Sequence, residues 1–128
     1  MKLLLDTCTF LWIAEAAERL PSRVTEAYRS PRNEVYLSAA SSTEIAVKYL
    51  TKRLMLTEPP PVWLPRMREA HGVETLAIDE ESALHVSLLP LIHRDPFDRL
   101  LVAQAIVHGM IILTPDPIVA SYPARTMW

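Results

Sequence analysis

HRDPFDRLLVAQAIVHGMIILTPD, residues 93–116, decides how the rest of the chain is read. Asp95 and Pro96 suit the cap and first position of a helix, and Gly109 suits its C-terminal cap. The helix PFDRLLVAQAIVHG runs straight into MIILT, a short apolar run that reads as a buried strand. A proline-flanked acid, Asp116, follows. Two further acids, Asp95 and Asp98, stand at the helix start, and the question they raise is whether they cap or catalyse.

Outward from this stretch, strands and helices alternate. MKLLLD reads as a buried strand ending in Asp6, and TFLWIAEAAERL as a helix before Pro21. SRVTEAYRS is a second helix, EVYLS a strand, and SSTEIAVKYLTKRL a helix with Ile45, Tyr49 and Leu50 toward one face. After the break EPPPVW, the stretch VWLPRMREAH resumes as a helix, with Pro65 expected near its first turn. VETLAI is a strand, DEESALHVSLL a helix capped by Asp79, and ARTMW a last strand. Such alternation specifies an α/β fold with a parallel sheet covered on both faces. The 128 residues suit one domain, 1–128, with no repeats and no interdomain linker.

Composition narrows the function. Half the residues are hydrophobic, enough for a core without covalent staples. A single cysteine, Cys8, excludes an internal disulfide and a thiolate cluster for zinc, which suits a reducing cytoplasm. No apolar run approaches a membrane span, and no signal peptide is visible. Thirteen basic against fifteen acidic residues give a net charge of −2, so any nucleic acid is met by a local patch, not a global field. Two glycines, Gly72 and Gly109, cannot build a Rossmann fingerprint or a P-loop. A phosphoacceptor domain would need an acidic pair after the first strand and a late lysine. LLLDTCT has one acid, and no lysine follows Lys52.

In open α/β sheets, sites form at the carboxyl ends of the strands. Asp6 and Asp116 sit at two such ends, and Asp98 and Glu44 are expected in the first turns of helices starting at the same edge. Four carboxylates together repel one another unless a cation joins them. Mg²⁺ or Mn²⁺ suits oxygen donors, and such ions activate water for phosphodiester hydrolysis. Each acid also has a structural reading. Asp95 caps with Asp98 at N3, Ser41 and Glu44 form a capping box, and Asp116 is a turn residue.

The segments LLLDT (3–7), SAASSTEIAVK (38–48), HRDPFDRLLVAQA (93–105) and ILTPD (112–116) resemble the four acidic motifs of PIN domains, most nearly the VapC-type (PilT N-terminus) toxin ribonucleases. The resemblance spans essentially the whole chain. It implies a three-layer α/β/α sandwich with a central, mainly parallel sheet. It also implies an Mg²⁺- or Mn²⁺-dependent endoribonuclease acting on structured RNA, with Asp6, Glu44, Asp98 and Asp116 as catalytic, metal-holding acids. Asp95 then becomes a cap and outer group. Thr7 and Thr114 could orient a carboxylate or bound water, and Arg94 and Arg99 are candidate phosphate contacts. The resemblance further implies a VapB-type antitoxin and a homodimer. Cys8 stands where related toxins often have histidine, and the glycine common after the Glu44 helix is absent. A non-catalytic RNA- or protein-binding module on the same fold is the alternative. His93 abuts the acids and could touch substrate or be a surface residue. His71 and His108 suit helix C-termini, and His85 a helix flank.

Overall fold

The computed structural model describes residues 1–128. The elements are β1 (Lys2–Leu5), α1 (Thr7–Glu15), α2 (Ser22–Arg29), β2 (Glu34–Ser38), α3 (Ala39–Leu50), α4 (Pro60–His71), β3 (Glu74–Leu76), α5 (Glu80–His85), α6 (Pro96–His108), β4 (Ile111–Leu113), α7 (Pro117–Ala120) and β5 (Thr126–Met127). Short 3₁₀ turns follow α1 and α5. The five strands form one sheet in the order β3-β2-β1-β4-β5, and every pairing is parallel.

The strand pattern explains the layers. In β1, Leu3 and Leu5 point to one face and Leu4 to the other, and all three are fully buried. Leu3 and Leu5 join Phe10, Val24, Leu37, Ile45 and Trp63 beneath α1–α4. Leu4 joins Leu101, Val102, Ile112, Val119 and Tyr122 beneath α6 and α7. Helices on both faces of a parallel sheet make the three-layer sandwich expected from the alternation. Trp63 is core, set edge-on to Phe10 with ring centroids 6.0 Å apart, whereas Trp12 packs on Trp128 at the flank.

Several local expectations need correction. Ser38, not Ser41, caps α3: its Oγ accepts from the Ala40 amide at 3.0 Å. The helix therefore starts earlier, Glu44 falls in the second turn, and no Ser41–Glu44 capping box forms. Leu50 ends α3 as an exposed residue and not on its buried face. Helix α4 likewise begins at Pro60, which places Pro65 inside it. Pro65 is exposed, on the solvent side of the helix. Gly109 does cap α6 in the left-handed region, at φ 66°. After α3 the chain lacks a glycine, and Lys52 itself takes φ 60°, a conformation costing a side-chain-bearing residue about 1–2 kcal/mol.

Candidate active site

The strand order places β1 beside β4, and the chain runs outward from this pair in both directions. That is the topological switch point, where the loops leaving adjacent strands diverge and open a crevice at the carboxyl edge. A cavity of about 500 Å³ lies there, and its lining includes Asp6, Glu44, Asp95, Asp98 and Asp116. Four of these acids belong to the set expected from the sequence, and each arrives on a different element.

Asp6 leaves β1 and caps α1. Its Oδ1 accepts from the Thr9 amide at 2.7 Å, and its Oδ2 accepts from the Thr114 hydroxyl. Thr114, at the end of β4, also receives the Asp116 amide on its Oγ1 at 3.0 Å. One buried hydroxyl thus fixes both strand-end acids. Asp116 in turn caps α7 through the Ile118 amide at 2.8 Å. Glu44 caps nothing. Its Oε1 accepts from the Thr7 hydroxyl at 2.8 Å, and its Oε2 pairs with the Lys48 ammonium at 2.7 Å. Asp98 is the least committed: its carboxylate receives no hydrogen bond, and the one basic side chain near it is His93, with Nε2 at 4.0 Å. Asp95 caps α6, its Oδ1 accepting from the amides of Phe97 and Asp98.

The electrostatics follow from this geometry. Burial pushes the Asp98 carboxyl up to about 7, helped by the charges of Asp95, Glu44 and Asp116 and opposed by His93. Burial also raises Asp6, against the hydrogen bonds from Thr114 and Thr9 that favour its ionised form. The cavity is an anionic pocket short of cations. Its donors are hard carboxylate oxygens with hydroxyls behind them, which fit Mg²⁺ or Mn²⁺. The Cys8 thiol lines the same cavity, but burial and the Asp6 charge push its pKa up, so it is no ready thiolate. Ligand atoms of His93, Asp95 and Asp98 lie within 4.8 Å of one another, adding an imidazole to the oxygen set.

The two candidate phosphate arginines lie elsewhere. Arg99 is buried and faces away from the cavity. Its Nη1 donates to Pro90 O at 2.9 Å, its Nη2 to Val86 O at 2.9 Å, and its guanidinium stands over the Tyr122 ring. Tyr122 also accepts the His93 amide at 2.9 Å. Arg99 and Tyr122 therefore clasp the loop that delivers His93 and Asp95. A guanidinium so occupied is unavailable to a phosphate. Arg94 is exposed and lies outside the cavity lining.

Sequence reasoning missed Lys48 and Gln104. Lys48 lies four residues after Glu44, a spacing that puts both on one helix face. Gln104, fully buried on α6, accepts from the Ser38 hydroxyl at the head of α3 and donates to Ala77 O at 3.1 Å. It ties together the helices that carry Glu44 and Asp98. Only its place among apolar residues in LLVAQAIV could have flagged it.

A parallel sheet with acids gathered at its switch point describes a class of α/β folds with a carboxylate-lined crevice, and similarity to known proteins narrows it. Residues 3–124 match the PIN domain family, and the chain belongs to that family. It is 32% identical over 114 residues to ribonuclease VapC22 of Mycobacterium tuberculosis, covering 88% of this chain and 85% of that protein. Among solved structures, VapBC2 from Rickettsia felis bound to a promoter DNA fragment is similar at TM-score 0.73 and 14% identity, covering 99% and 98% of the two chains. DNA-bound VapBC from Salmonella typhimurium is similar at TM-score 0.68 and 18% identity, covering 99% and 97%. These structures bear on the fold.

Proposed function

We propose that the protein is a VapC-type ribonuclease toxin: an endoribonuclease dependent on Mg²⁺ or Mn²⁺ and restrained by a VapB-type antitoxin. The observation that carries this reading is the convergence of Asp6, Glu44, Asp98 and Asp116 on one cavity at the sheet's switch point. The name of the M. tuberculosis relative supports nuclease chemistry, and the VapBC neighbours support an antitoxin partner.

Asp6, Glu44, Asp98 and Asp116 would hold the cation. When bound, it supplies a water of lowered pKa and positive charge opposite the transferring phosphoryl group. The chain's own residues set the stage. Thr114 holds Asp6 and the turn into Asp116, and Thr7 and Lys48 hold Glu44 from both sides. Asp98, whose carboxylate receives no hydrogen bond and whose pKa burial raises, would complete the donor set in its ionised form. Asp95 fixes the start of α6 and so the position of Asp98. A homodimer is part of the same proposal, and Leu84, Leu88 and Leu91 are among the exposed apolar side chains open to such a contact. No helix is long and apolar enough to cross a membrane. A cytoplasmic place of action accords with the chain's lone cysteine, which is free.

The test is cleavage of total cellular RNA by the purified protein, with fragment ends mapped. Discrete cleavage in Mg²⁺ or Mn²⁺ and none in excess EDTA is expected. Undiminished cleavage in EDTA would remove the metal mechanism.

A further inference from the structure

We propose that Lys48 contacts the substrate, its ammonium donating to a non-bridging oxygen of the scissile phosphodiester in the acidic cavity. This inference rests on the ribonuclease reading above and adds a residue to its machinery. An RNA backbone is polyanionic, and the cavity lining carries five carboxylates. Lys48 is the only lysine or arginine in that lining. Arg99 is consumed by backbone carbonyls, and Arg94 lies outside. A phosphate entering the crevice therefore meets one permanently positive side chain of this protein.

The pair with Glu44 places that charge at the cavity. Glu44 is anchored by Thr7 on one oxygen and pairs with Lys48 on the other, so the ammonium stands inside the crevice mouth. An ordinary i,i+4 pair lies on an open helix face, where both partners are solvated. Here Glu44 keeps only 14% side-chain exposure while Lys48 keeps 36%, so the pair is sealed on the carboxylate side and open on the ammonium side. An ammonium has three N–H donors. Glu44 occupies one, and the others are available to a phosphate oxygen. A compact point charge on a flexible stem can serve both partners at once, where a guanidinium fork would commit to one geometry.

The chemistry needs such a group. In hydrolysis, the oxygen of water bonds to phosphorus, the P–O ester bond breaks, and a proton passes to the leaving ribose oxygen. Negative charge rests on the non-bridging oxygens throughout, and a donor already in place stabilises it without reorganisation.

The experiment measures cleavage of one mapped RNA substrate by the full-length protein, wild type against Lys48→Met, Lys48→Gln and Lys48→Arg, at saturating Mn²⁺. Calorimetry of Mn²⁺ binding and thermal melts accompany it. Expected is a fall in kcat of about 100-fold or more for Lys48→Met, the scale of losing one charge-stabilising donor. Lys48→Arg should recover part of it, and Mn²⁺ affinity should stay within about threefold, since no donor atom toward the cation is removed. If Lys48→Met fails to fold, Lys48→Gln keeps the hydrogen-bonding polarity and gives the same comparison. Cleavage by Lys48→Met within threefold of wild type overturns the inference. So does a loss that parallels weakened Mn²⁺ binding and is cured by more Mn²⁺, because Lys48 then acts only by holding Glu44. Wild type that cuts no RNA at all overturns the ribonuclease reading and this inference with it.

Discussion

Two aspartate–histidine pairs occur in this protein, and the same two residue types behave in opposite ways. Asp79 caps α5: it accepts from the Ser82 amide at 3.1 Å, the Ser82 hydroxyl at 2.7 Å and His108 Nε2 at 2.7 Å. These donors, His108 first, hold its carboxyl well below the usual range. Asp98 has its histidine at 4.0 Å, receives no hydrogen bond, and faces three other acids. Its carboxyl rises to about 7. The difference lies in how the donors are spent. At α5 the Asp79 carboxylate is spent on capping the helix and on His108. At α6 Asp95 finishes the helix, and Asp98 is left over in a crowded anionic crevice. A carboxylate that caps nothing, held where burial and like charges oppose its ionisation, is what the role proposed for Asp98 calls for.

The largest effect that could break this comparison is on activity. Asp98→Asn, and equally Asp6→Asn, is expected to lower RNA cleavage by about three orders of magnitude or more, within the range of losing a group acting in the transition state. Asp79→Asn should leave cleavage nearly intact, since Asp79 lies outside the cavity. Initial rates in Mg²⁺ on one RNA substrate decide it. Comparable losses at Asp79 and Asp98 would erase the distinction.

Next in size is stability without metal. Asp98 has a folded pKa raised to about 7, above the unfolded value of about 3.9. Between these values the native state binds more protons than the unfolded one, so stability falls as pH rises through this window and levels off above it. Asn cannot ionise. In EDTA, Asp98→Asn should therefore melt above wild type at pH 8, with the gap closing toward pH 5. Partial solvent access keeps the gain well below the about 1.4 kcal/mol per pKa unit of a fully buried group. Asp79 runs the other way. Its lowered pKa contributes stability above the unfolded value, lost as pH falls through the folded one, so Asp79→Asn should melt below wild type at pH 8. Mg²⁺ should raise the melting temperature of wild type by mass action and that of Asp98→Asn much less. Melts of both variants at two pH values, with and without Mg²⁺, test all four signs.

The same comparison explains what the sequence could and could not reveal. The strands were legible because runs such as KLLL and IIL are short, apolar and bounded by acids or turn residues, and parallel order follows from the helices between them. The gathering of acids was legible because strand ends in a parallel sheet share one edge. Helix starts were less so: SAASS offers several hydroxyls, and the choice of Ser38 depends on its buried bond to Gln104, 66 residues away. Arg99 looked like a phosphate ligand because it follows Asp98 in sequence. Its partners Val86, Pro90 and Tyr122 are set by tertiary packing alone. The misreadings at Ser38, Gln104 and Arg99 share one cause, since their partners are distant in sequence and leave no local pattern, whereas the Lys48–Glu44 spacing was there to be read.

The smallest expected effect is at Asp95, which lies between the two pairs in character. It lines the crevice, as Asp98 does, yet caps a helix, as Asp79 does. Asparagine caps nearly as well as aspartate, because its side-chain oxygen accepts the same amide hydrogens. Asp95→Asn should keep the helix start and so the placement of Asp98, and most cleavage should survive. It also removes the charge that contributes most to raising the Asp98 pKa after burial. The midpoint of Asp98 protonation in metal-free protein should therefore move down, toward the ordinary carboxyl range. NMR titration of the Asp98 carboxyl carbon reads this directly. Asp95→Ala should instead lose the cap, at about 1 kcal/mol, and relax the geometry of α6's first turn. If Asp95→Asn costs as much activity as Asp98→Asn, then Asp95 belongs with the reacting groups, and the division of labour between capping and chemistry at the start of α6 has been drawn one turn too late.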